Sequence, residues 1–105
     1  MISISGVKGY EYSEDIADGE NGGAVIVKPI GNVSGNIGAA VIPAGNTGKF
    51  QYTFSSIEKV EADTANWIDW DYGDVAINTG ATFTAPVTAI RGVSVSGAIT
   101  IEVCV

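Results

Sequence analysis

The sequence has no histidine and no leucine, and it uses methionine, arginine, glutamine and cysteine once each. Each gap excludes something. Without histidine, the usual general base for a serine or cysteine nucleophile is missing. With Cys104 alone, neither an internal disulfide nor a metal–thiolate site can form. The scarcity of Leu, Met, Gln and Arg, all good helix formers, argues against a helical bundle. No basic cluster is present, which argues against binding nucleic-acid phosphates. No apolar run reaches the length of a membrane span, and no cationic start precedes a long apolar stretch. The expectation is therefore a protein without membrane insertion or secretory leader, made in the cytoplasm.

What is present points to β-structure. The chain has 105 residues, enough for one domain with one core. Apolar residues make up 46% and glycine occurs 14 times, a mixture that suits short strands joined by tight turns. In residues 93–105, Val93, Val95, Ile99, Ile101, Val103 and Val105 hold the odd positions, and smaller or polar residues hold most of the even ones. A period of two marks strands with one buried face. A three-residue loop, Val95-Ser96-Gly97, would pair Val93 with Ile99 in a terminal hairpin and put Gly97 at the left-handed bulge position.

Upstream, strands are expected over 24–30, 37–42, 49–55, 75–78, 81–84 and 86–90, with turns at Gly31-Asn32, 43–48 and Gly73-Asp74. Their spacing is that of a sandwich or barrel. Phe50, Tyr52 and Phe54 alternate with polar residues, so together with Ile99, Ile101 and Val103 they are the predicted core. Ile57 and Val60 permit one helical turn within 56–62, but continuation of the sheet through Val60 and Ala62 is the preferred reading. The expected fold is a single small antiparallel β-sandwich over 24–105.

Acidity is uneven. The net charge is −7, of which residues 1–23 carry −4 and residues 58–74 carry −5. Residues 1–23 are rich in Gly turns and acids. They read either as an extended arm that orders against a partner, anchored by Ile2, Ile4, Tyr10 and Tyr12 through edge addition, or as an edge strand plus loop. The acids either keep the chain soluble or dock on a basic surface.

The sole constellation resembling a site is 67–74, with Trp67, Asp69, Trp70, Asp71, Tyr72 and Asp74. Its carboxylate spacing does not fit the twelve-residue calcium loop, so no metal or other cofactor is expected. Aromatic rings beside carboxylates suit a glycan surface; the alternative is that the Trp side chains pack in a core or subunit interface. At three apart, Trp67 and Trp70 cannot share one face of a regular strand, so one must turn outward or sit in a bend. A pair of carboxylates could cut a glycoside, but so small a domain has little room for a cleft that shifts their pKa values. A non-enzymatic role is expected.

Residues 67–75 (WIDWDYGDV), 86–91 (PVTAIR) and 96–103 (SGAITIEV) resemble stretches of small β-rich virion proteins of tailed bacteriophages. The resemblance covers roughly the last forty residues. It implies a capsid decoration or cement protein: a β-sandwich or jelly roll, often a trimer, with a terminal arm that grips the major capsid protein or another virion protein. The implied location is the virion. Only 16% of residues are charged, against about 25% in a typical soluble domain. That deficit suits a homo-oligomer or an assembly in which part of the surface is covered. A glycan- or receptor-binding module of a fibre or surface protein is the alternative.

Overall fold

The computed structural model describes residues 2–3, 11–27, 36–84 and 87–104. Ile4 and Tyr10, two of the expected arm anchors, lie outside them. Among the described residues the elements are β1 (Ile2–Ser3), β2 (Glu11–Ile16), β3 (Val25–Ile26), β4 (Asn36–Ile42), β5 (Thr47–Thr53), α1 (Ile57–Glu61), β6 (Ile68–Asp69), β7 (Thr79–Thr84), β8 (Ala89–Ser96) and β9 (Ile99–Cys104).

They form two packed sheets, one ordered β1-β3-β8-β5-β6 and the other β2-β9-β4-β7. All neighbouring strands are antiparallel except β1 and β3, which run parallel. The chain is an all-β sandwich. Its connectivity has a consequence for sequence reading: along the described elements, only β5 and β6 are successive strands of the same sheet. Every other step carries the chain from one sheet to the other.

The terminal hairpin is therefore not formed. β8 pairs with β3 and β5, whereas β9 pairs with β2 and β4, and Gly97 (φ 73°) turns the chain between the layers. The phase of alternation changes with it. In β9 the odd residues Ile99, Ile101 and Val103 are buried; in β8 the inward positions are Ile90, Gly92 and Ser94. Val93 is half-buried on the outer face and Val95 is exposed.

The core between the sheets holds Val25, Phe50 and Ile90 from one layer and Ile16, Val41, Ile101 and Val103 from the other. Of the predicted aromatic face, Phe50 is buried and Tyr52 half-buried. Phe54 is exposed, because β5 ends at Thr53 before the ring reaches cover.

Residues 57–61 are helical, against the preferred strand reading. Ser56 caps the turn by accepting from the Lys59 amide, and Val60 drops into a second small core with Ile26 and Ala89 on the outer face of the β8 sheet. The strand expected at 75–78 reduces to one bridge, Val75 with Gly48.

Residues 11–23 are an edge strand and loop of this chain. β2 pairs with β9 at six register positions and buries Ile16. Tyr12, opposite Val103, packs against the core rather than projecting away. Ile2 pairs with Val25.

Candidate interaction site

The segment 67–74 does not act as one surface. Its residues part company because β6 is only two residues long, pairing Ile68 with Tyr52 and Asp69 with Gln51. After Asp69 the chain bends inward. Trp70 is buried and meets Phe50 edge to face, while its indole Nε1 donates to the Gly73 carbonyl at 2.6 Å. With its ring in the core, Trp70 offers no open face for stacking on a sugar. Tyr72 stands over it with ring centroids 5.2 Å apart and remains exposed.

Trp67 goes the other way. It packs on the small core of α1, and the Arg91 guanidinium carbon lies 4.3 Å above its ring. One Trp is thus inside and the other outside, as three-residue spacing requires.

Asp69, Asp71 and Asp74 do not gather into one three-carboxylate cluster. Among the described residues no three carboxylate or thiol groups gather where an ion could sit. Asp69 and Asp74 instead flank Lys49, at 3.1 and 3.9 Å, and Asp71 is exposed. A polar row crosses three strands here, since Gln51 stands opposite both Arg91 and Asp69. Arg91 Nε donates to Gln51 Oε1 at 2.8 Å, and Gln51 Nε2 donates to Asp69 Oδ1 at 2.9 Å. The Gln51 amide joins a cation to an anion that do not themselves touch. Hydrogen bonding from Gln51, then from Lys49, holds the Asp69 carboxyl below its ordinary pKa. Burial lowers the pKa of Arg91, with the nearby Asp63 charge opposing that shift.

Reading residues one by one missed Lys49, Gln51 and Arg91, which lie far apart in the chain. Lys49 and Gln51 share the polar parity of β5, but Arg91 shares its parity with Val93 and Val95 in β8, so local pattern carried no signal for the row as a whole.

Unsatisfied apolar surface lies elsewhere, at the margin where β6 and β7 end their sheets. Rings run from Phe54 through Tyr52, Phe83, Phe50 and Trp70 to Tyr72, each in contact with the next. The middle of this chain is core, and both ends are open to solvent. Ile68 and Ile77 are exposed beside it in sequence, Ile77 to 76%. Across β9, β4 and β7, the outer face of that sheet carries a groove of about 550 Å³ lined by small residues such as Gly38, Ala40, Gly80 and Thr82, with Glu102 and Cys104 at one side.

Fold and surface together define an all-β sandwich with an aromatic margin and a polar row of mutually paired charges. No family model, curated protein or solved structure matches the chain.

Proposed function

We propose that the protein is a non-enzymatic structural component of a phage particle, which binds the capsid shell and reinforces it as a decoration or cement protein. The observation that carries the binding role is the distribution of exposed apolar side chains. Four large ones, Phe54, Ile68, Tyr72 and Ile77, fall within residues 54–77 around the β6 and β7 edges. Apolar residues grouped at a sheet margin are what a protein partner covers. The polar row supports the non-catalytic part, because its carboxylate, Asp69, is bonded to Lys49 and Gln51 at the surface and not held in a cleft. The placement on a phage capsid rests on the sequence resemblance of 67–75, 86–91 and 96–103. A clamp that binds only assembled shell stabilises it by mass action, repeated over many copies.

Mass spectrometry of purified particles that counts copies per virion tests this reading. Hundreds of copies are expected. A handful would move the protein to the tail or fibre, and none would overturn the particle assignment.

A further inference from the structure

The two edges of the β2-β9-β4-β7 sheet are built differently. β2 carries Glu11, Glu14 and Asp15, and the Glu14 carboxylate turns inward to accept from the Gly23 amide at 3.1 Å. Charges along an edge, above all an inward-pointing one, are how proteins prevent a strand from recruiting another. β7 has none of this. It reads TGATFT, and the whole run from Val75 to Ile90 contains no charged residue. Among the described residues β7 has a neighbour, β4, on one side only. In the other sheet, the edge strand β6 is too short to pair at length.

From this contrast, the geometry points to β7 as the strand through which two copies of this chain join, antiparallel, so that their four-stranded sheets become one sheet of eight. The occupant follows from charge. A chain of net −7 that meets its own copy across most of its surface sets carboxylate against carboxylate. The β7 edge is where that repulsion is absent. A strand edge is also self-complementary under a two-fold axis, since each copy offers the same donors and acceptors in reverse order. The exposed Ile77, just before β7, then gains a partner surface as the strands pair. A basic partner would instead select the carboxylate-bearing stretches, residues 11–20 and 58–74, and not the uncharged β7 strand. This inference deepens the proposed binding role by naming a second copy as one partner of the β7 margin.

Light scattering and native mass spectrometry on the purified full chain, without any particle, test it. The protein should pass from monomer to dimer with rising concentration. Thr82→Lys, at an exposed β7 position, should raise the midpoint of that transition at least tenfold, with an unchanged melting temperature at dilutions where both proteins are monomeric, and Ser13→Lys on the opposite edge should not raise it. Hydrogen exchange of the unaltered protein covers the case in which Thr82→Lys fails to fold, because amides of 79–84 should become more protected as concentration rises. A chain that stays monomeric at millimolar concentration overturns the inference. So does a dimer that Thr82→Lys leaves intact, or one whose β7 amides exchange at a concentration-independent rate. Since no particle is present, failure here leaves the capsid reading to its own copy count.

Discussion

The Trp70 and Phe50 rings meet edge to face with centroids 5.3 Å apart, and this contact ties the irregular 70–75 turn to the centre of the sandwich. A backbone bond from the Trp70 amide to the Phe50 carbonyl, 3.0 Å, fixes the same pair. Trp70 therefore serves the fold. Trp70→Ala should destabilise the protein by about 3–5 kcal/mol in urea or thermal unfolding. Loss of sugar retention in that variant would report unfolding and not a lost contact. If Trp70→Ala melts within about 1 kcal/mol of the parent, the ring is not where the fold puts it.

Gly92 sits where two isoleucines need space. A Cβ there would lie 2.6 Å from Ile101 Cγ2 and 2.7 Å from Ile16 Cδ1, closer than such atoms approach. Both side chains are buried, so neither has a free direction in which to retreat. Gly92→Ala should cost about 1–3 kcal/mol by overpacking. Adding Ile16→Val, which removes the Cδ1 methyl, should recover part of that loss. Equal melting of Gly92→Ala and parent would contradict the inward placement of Gly92.

The same glycine explains why part of the fold was illegible. The alternation of 93–105 correctly marked Ile99, Ile101 and Val103 as core, because there the inward residues are also the large apolar ones. One strand earlier the inward positions hold Gly92, where Ile16 and Ile101 fill the space, and Ser94, whose hydroxyl accepts from the Gly19 amide and donates to the Gly97 carbonyl. The apolar Val93 and Val95 face outward. Hydropathy therefore read β8 in the wrong phase and made a hairpin of what is a crossing between sheets. Alternation reports that a strand has two faces; it does not report which sheet the next strand joins. The site was legible to a similar degree. The spacing of Trp67 and Trp70 foretold that they would separate, but the partners of Asp69 depended on cross-strand register, which local pattern does not encode.

Asp69 offers a pH test. Its folded-state pKa is lowered below the ordinary aspartate value of 3.8, so its contribution is fully present above that value and fades as pH falls through the folded pKa. With the Asp69 side chain 52% exposed, solvent screening keeps the effect small. Asp69→Asn should cost less than about 1 kcal/mol near neutral pH. The gap between variant and parent in urea titrations should close as the pH drops below 3.8. A gap that widens in acid would mean that Asp69 is not held ionised by Gln51 and Lys49.

The last test concerns residues 1–23, where an arm and an edge strand make opposite predictions. The loop after β2 is laced to the β8–β9 turn: Gly22 N donates to Gly92 O at 2.8 Å, Ser94 N to Glu20 O at 2.9 Å, Gly19 N to Ser94 Oγ at 3.0 Å and Gly97 N to Asp18 Oδ1 at 2.7 Å. β2 itself covers one side of the central strand β9 and contributes buried Ile16. Brief proteolysis of the free protein should therefore leave 11–23 intact. Removing residues 1–10 takes away, among the described residues, only the two-residue β1, and the domain should keep its fold. Removing 1–23 should unfold it, since β9 then loses one of its two hydrogen-bonded neighbours. Ile16→Ala should cost about 2–5 kcal/mol, separating loss of burial from loss of chain. If the protein shed 11–23 to protease while the rest stayed folded, the strand would be an arm after all, waiting for another chain to order it.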